Sequence, residues 1–161
     1  MLEIEEIISP AVQGLTTPFL CKGSDNTRYY VKGRAATASG LIKEWIAGNL
    51  ASRLGLPIPA FQVAYLDEAL VKAHSQNAIN CLGSGYVFAS ELIDSTTEFK
   101  YEMLKKVAPS LQRDILVFDL WIQNGDRSLT DFGGNPNLLW ESGQSKLHET
   151  FARSQAPKRV K

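Results

Sequence analysis

Very little in this sequence announces a function outright. Its 161 residues include only two cysteines and two histidines. Cys21 and Cys81 lie far apart without metal-ligand spacing, so they read as small buried hydrophobes in a reduced compartment. His74 and His148 stand alone, and each reads as a surface or core histidine rather than a ligand or base. Charge of one sign is missing as well: 17 basic residues face 17 acidic ones, so no global field favours nucleic acid or an anionic membrane. No apolar run is long enough for a membrane span, and Met1-Leu2-Glu3-Ile4-Glu5-Glu6 is acidic with no signal-type apolar stretch. The expectation is a cytoplasmic protein without nucleic-acid or membrane partners. Neither a Gly-x-Gly-x-x-Gly loop nor a Walker-type Gly-rich Lys-Ser/Thr motif is present, and there are no internal repeats. The length suits one domain with a real core.

Hydropathy and turn chemistry supply the organisation. Residues 2–33 read as strands, with Ile4, Ile7 and Ile8 opening the first and Pro10 and Gly14 punctuating it. Thr16 to Cys21 predicts a second strand, Gly23-Ser24-Asp25-Asn26 a hairpin turn, and Arg28-Tyr29-Tyr30-Val31-Lys32 the return. A helix with a broad apolar face follows, in which Leu41, Trp45, Ala47–Gly48 and Leu54 recur with Ile42, Ile46 and Leu50, with Ser39 as its N-cap and Gly55 as its C′ stop. Pro57-Ile58-Pro59 forces an extended exit into a strand from Phe61 to Tyr65. A helical turn or two is expected within 67–82, a strand over Tyr86–Leu92, and a short helix around 98–106. Pro109 starts a long helix that Leu111, Ile115, Phe118, Leu120 and Ile122 bury, ending at an Asn124-Gly125 turn. Leu138-Leu139-Trp140 and Lys146-Leu147-His148, joined by a Ser142-Gly143 turn, predict a final hairpin. Strands, one helix, strands and then helices describe a β-rich lobe feeding a helical one.

Three features carry chemistry. Lys32 ends a strand and can act as a point charge on nucleotide phosphates. Glu44, on the following helix, could hold that lysine by an ion pair. Asp126, delivered with Arg127 by the long helix, is placed to accept a proton from an attacking hydroxyl. The asparagine-bearing stretch after it, Asn135-Pro136-Asn137-Leu138-Leu139-Trp140, offers a neutral oxygen to magnesium. Each feature has a plainer explanation, as a strand end, a polar helix position or a helix-end ion pair. Their order along the chain favours phosphoryl transfer.

These stretches resemble the HipA-like kinase domain, a branch of the protein-kinase-like and phosphoinositide-kinase-like superfamily. The likeness rests on Tyr30-Val31-Lys32, on Lys43 to Ala47 running to Leu54-Gly55-Leu56-Pro57-Ile58-Pro59, on Phe88 to Leu92, and on Asp126-Arg127 with Asn135 to Trp140. It covers roughly residues 5–148. It implies an α+β, protein-kinase-like fold: a β-rich N-terminal lobe over about 1–92, a shortened helical C-terminal lobe over about 93–148, and a basic tail over 149–161. By the same resemblance the cofactors are ATP and Mg, with a protein or small-molecule hydroxyl as acceptor. Lys32 contacts the α/β-phosphates, Glu44 orients Lys32, and the backbone of Phe88, Ala89, Ser90 and Glu91 hydrogen-bonds adenine. Asp126 is the catalytic aspartate, and Asn137, or alternatively Asn135, is a metal ligand.

The chain departs from the family pattern at one point. A second acidic metal ligand belongs on the returning arm of the last hairpin, and here Lys146-Leu147-His148 is followed by Glu149, the only acid nearby. Asp131-Phe132-Gly133 spells a kinase metal-binding triplet, but it precedes Asn137 and so reads as coincidence. The expectation is a phosphotransferase of low or no activity, apparently shortened at its C-terminus. The alternative is a non-catalytic kinase-fold module binding nucleotide or a partner protein, with a homodimer through exposed helical surface.

Overall fold

The structure, a computed structural model, describes residues 1–11, 16–125, 127–130, 133–142 and 146–149. Asp126, Gly14, the Asp131-Phe132 pair, Gly143 and the tail beyond Glu149 lie outside the described residues. The chain is α+β. In order come β1 (Leu2–Pro10), β2 (Phe19–Gly23), β3 (Arg28–Lys32), α1 (Ala38–Arg53), β4 (Phe61–Leu66), α2 (Glu68–His74), α3 (Gln76–Cys81) and β5 (Gly85–Glu91). They are followed by β6 (Thr96–Glu98), α4 (Pro109–Trp121), β7 (Ser128–Thr130), β8 (Gly133–Asn135), β9 (Leu138–Glu141) and β10 (Lys146–Glu149). No helix among the described residues is long and apolar enough to cross a membrane.

Among the described residues two compact units emerge, one comprising Met1–Ile46 with Pro59–Leu92, the other Ala47–Ile58 with those from Ile93 to Glu149. In the first, five strands close into a barrel in the order β1-β2-β3-β5-β4. Every pairing is antiparallel except the closing one, in which β1 runs parallel to β4 through Leu2↔Ala64 and Ile4↔Leu66. Closure removes the open sheet edge that a β-rich lobe would otherwise expose. The first strand breaks strict alternation: Leu2, Ile4 and Ile7 face inward while Ile8 is largely exposed. Register shifts between Ile4 and Glu6 and between Ile7 and Ser9 explain this, because a bulge resets which face follows.

Phe19, Cys21, Val31, Ala64, Leu66 and Ala89 fill the barrel and are excluded from solvent. Burial pushes the Cys21 thiol up to about 12, which suits an inert packing role. Over 67–82 the expected helical turns resolve into α2 and α3, each with its own cap. Asp67 accepts from the Ala69 amide at 2.7 Å, and Ser75 accepts from the Ala78 amide at 3.1 Å.

Helix α1 starts one residue before the expected cap. Thr37 rather than Ser39 takes that place, accepting from the Gly40 amide at 3.2 Å. Its other end follows expectation. Gly55 adopts φ +74, with Leu56 N donating to Ala51 O and Gly55 N to Ser52 O, a Schellman motif. The expected apolar face is buried only in part: Gly48 is buried and Leu50 packs against a core, but Ile42, Ile46 and Leu54 are largely exposed, and Ala51 is buried as well. Small residues allow close approach of a helix, so the packed stripe runs through positions 44, 48 and 51.

The second unit holds a three-stranded sheet in the order β10-β9-β6, a β7-β8 ribbon and α4. Phe99, Val107, Ile115, Phe118, Leu138, Trp140 and Leu147 form its core. Leu111 and Ile122 pack against that core, but Leu120 is 71% exposed, contrary to the sequence reading. The stripe 111–115–118–122 has helical spacing, and a residue two positions past Phe118 lies on the far side. The short helix expected around 98–106 is a 3-10 segment, Tyr101–Lys106, preceded by the unforeseen strand β6.

Candidate functional site

Strand β3 alternates until its end, where Val31 and Lys32 are both buried. Val31 points into the barrel. Lys32 therefore lies on the opposite face, where the first half of α1 covers it. There its Nζ meets Glu44 Oε1 at 2.6 Å, with side-chain exposures of 5% and 16%. Lys32 is thus an interior charge and not a solvated strand end. Glu44 belongs to the buried 44–48–51 stripe of α1 and not to its polar face. Burial pushes the Glu44 carboxyl up, and the Lys32 ammonium offsets part of that rise.

Directly after the lysine, Gly33 admits the carbonyl of Leu82, since a Cβ there would lie 1.9 Å from that oxygen. The same carbonyl accepts from Arg34 N at 2.8 Å. The end of β3 is thereby fixed on both sides, by the ladder before it and by this contact after it.

Across the barrel wall Lys32 pairs with Phe88 and Tyr30 with Ser90, so Phe88 and Ser90 share the face of the lysine. Ala89 points into the core, and Glu91 sits exposed at the rim. Phe88 stacks on Phe61 at 5.5 Å, and Trp45 meets Phe61 edge-on at 5.4 Å. This aromatic run beside Lys32 was not foreseen. The register Val63↔Phe88 and Phe61↔Ser90 creates it, and nothing in either strand alone reveals that register. Strand β5 is interior to the barrel, hydrogen-bonded to β3 and β4. At its exit the amides of Glu91 and Leu92 donate to Ala60 O and Arg28 O, both at 2.8 Å.

In the second unit α4 ends on its own Schellman motif, but with Gln123 rather than glycine in the left-handed position, at φ 57. Asn124 N donates to Asp119 O at 2.8 Å and Gln123 N to Leu120 O at 3.3 Å. The stop therefore precedes the expected Asn-Gly turn by one residue. Asp119, unmarked by the sequence reading, is buried on this last turn. It receives Asn124 Nδ2 at 2.8 Å and Arg127 through both carboxylate oxygens, Nε on Oδ2 and Nη2 on Oδ1. Arg127 Nη1 also donates to the carbonyls of Pro136 at 2.6 Å and Asn137 at 3.2 Å. The spacing Asp119–Arg127 spans a helix end, which is why no periodic pattern flagged it.

Asn137 is buried at φ 48, a conformation asparagine tolerates. Asn137 makes further interactions, while its buried Oδ1 receives no hydrogen bond from the described residues. Asn135 closes β8, and its side chain, like that of Glu149 on β10, lies outside the described residues. His148, expected to stand alone, is buried and lies 2.9 Å from Glu141 Oε2 across the β9-β10 hairpin. Among the described residues no group of three or more His, Cys, Asp or Glu side chains could hold a metal. Magnesium commonly binds through one or two protein oxygens plus substrate phosphates and water. A buried asparagine oxygen fits a metal that arrives with a nucleotide, not one held in an all-protein cage.

A family model described as HipA-like kinase matches residues 4–148. No curated protein matches the chain.

Proposed function

The chain belongs to the HipA-like kinase family, and we propose that it transfers a phosphoryl group from ATP to a hydroxyl of a protein or small molecule. The observation that carries this reading is the buried pair of Lys32 and Glu44, 2.6 Å apart on β3 and α1. In protein kinases such a strand lysine has to be paired with a helix glutamate for activity. A lysine kept from water, its ammonium already aimed by a carboxylate, loses little freedom when a polyphosphate arrives. The protein-kinase-like arrangement of a β-rich and a helical lobe is part of this proposal.

In this reading Lys32 neutralises charge on the phosphates and Glu44 fixes its rotamer. Phe88 and the stacked Phe61 give the base an apolar wall, and Ser90 lies on the same face. The amides of Glu91 and Leu92 are already engaged, so any base contact along Phe88–Glu91 falls to side chains and to carbonyl oxygens with a second lone pair. Asp126 accepts the proton of the attacking hydroxyl. Asn137, or alternatively Asn135, supplies an oxygen to magnesium. The ion contributes positive charge on the transferred group when bound.

Calorimetric titration of ATP with and without magnesium, beside a phosphotransfer assay of wild type and Asp126→Ala, tests the proposal. Magnesium-dependent binding with turnover lost in the variant is expected. Binding without turnover in wild type would favour a non-catalytic nucleotide-binding module. Absence of any nucleotide binding would overturn both.

A further inference from the structure

We infer that Asp119 and Arg127 form a positioning pair that holds the segment bearing Asn137 in place relative to the end of α4. The inference rests on the proposed roles of Asp126 and Asn137. Arg127 directly follows Asp126 in sequence, and its guanidinium binds the carbonyl of Asn137 itself. One side chain therefore links the two positions on which the proposed chemistry depends.

An ordinary helix-end ion pair would be exposed and would engage only its partner. This one is buried, with side-chain exposures of 10% for Arg127 and 9% for Asp119. Three guanidinium nitrogens are engaged, two on a carboxylate and one on main-chain carbonyls nine and ten residues further on. Asp119 is itself immobilised, by the Asn124 amide group on its carboxylate and by the Schellman turn on its carbonyl. On one side the pair borders an apolar pocket of about 180 Å³ that also touches Phe99, Val107, Ile115 and Leu138. Apolar walls lower the local dielectric and strengthen a charged hydrogen bond. The planar fork of arginine is needed to span carboxylate and carbonyls together. A lysine brings one point charge and cannot serve both.

The pair touches neither nucleotide nor acceptor in this account, so both are positioning residues. Arg127→Lys and Asp119→Asn, each with the charge or shape nearly kept, are the test variants, read against wild type in two ways. Amide hydrogen exchange should show at least a ten-fold loss of protection confined to the amides around Asn137 and Leu138, with the barrel amides unchanged. In phosphotransfer, kcat should fall at least ten-fold and the magnesium concentration for half-maximal rate should rise at least three-fold. The KM for ATP should move less than two-fold. The double variant should be no worse than the single ones, as expected of groups acting as one unit.

Unchanged protection in folded variants would overturn the inference. So would a uniform loss throughout the second unit, which would assign the pair to bulk stability alone. If wild type shows no turnover, the phosphotransferase reading fails, and the exchange result still decides whether Arg127 holds this segment.

Discussion

Lys32 Nζ and Glu44 Oε1 lie 2.6 Å apart on consecutive elements, and neither side chain is substantially exposed. A buried pair of this kind is weak evidence for stability, because desolvation offsets the attraction. Breaking it is another matter. Lys32→Met strands the Glu44 carboxylate and should cost about 3 kcal/mol at neutral pH by urea denaturation. The double variant Lys32→Met/Glu44→Leu should recover most of that loss yet bind ATP at least ten-fold more weakly by calorimetry. Undiminished ATP affinity in the double variant would remove Lys32 from the site.

The pH dependence follows from the carboxyl of the same pair. Burial raises the folded-state pKa of Glu44 above its ordinary 4.5. The folded protein therefore binds this proton at a higher pH than the unfolded chain does. Acidification through that interval should not cost stability through this group and should favour the fold. ATP affinity should fall over the same interval, because a neutral Glu44 no longer orients Lys32. Affinity and thermal midpoint measured from pH 7 down to the ordinary glutamate range should diverge in wild type, and the affinity change should vanish in Glu44→Gln.

Backbone strain at the end of α4 offers a gain. Gln123 sits at φ 57, where an L side chain is disfavoured by roughly 1 kcal/mol and glycine is not. Gln123→Gly should raise the unfolding free energy by about 0.5–1 kcal/mol, against a background in which most substitutions destabilise. A decrease would show that the Gln123 side chain makes a compensating contact.

Gly33→Ala should act in the opposite sense. A methyl 1.9 Å from the Leu82 carbonyl oxygen forces that backbone apart and breaks the hydrogen bond that the Arg34 amide donates to it. A loss of about 2 kcal/mol or more is expected. Lys32 NMR signals should shift with it, since Gly33 anchors the end of β3.

Two residues of α4 should separate sharply in mutagenesis. Phe118→Ala empties a core position and should cost about 3–5 kcal/mol. Leu120→Lys, at 71% exposure, should stay within about 0.5 kcal/mol of wild type in thermal denaturation.

Local signals proved readable where one strand or one cap decides the outcome. Strand β3 runs over the five residues read as a strand, and Gly55 stops α1 as a C′ glycine should. Lys32 and Glu44 were both legible as a pair, because a strand lysine followed by a helix glutamate is a local arrangement. Burial faces were less legible. The apolar face read on α1 was too broad, since small residues such as Gly48 govern where the helix packs closely. The aromatic run of Trp45, Phe61 and Phe88 depends on register between strands far apart in sequence. Asp119–Arg127 depends on a left-handed residue that glycine did not mark.

The parallel pairing of β1 with β4 has a consequence for how the chain acquires its shape. Leu2 finds its partner only when Ala64 is available, and β3 gains its second neighbour only with β5. Local hairpins can form early, but ring closure waits on loop-closing entropy across some sixty residues. During synthesis, the lysine-bearing end of β3 would leave the ribosome long before the strand that seats it.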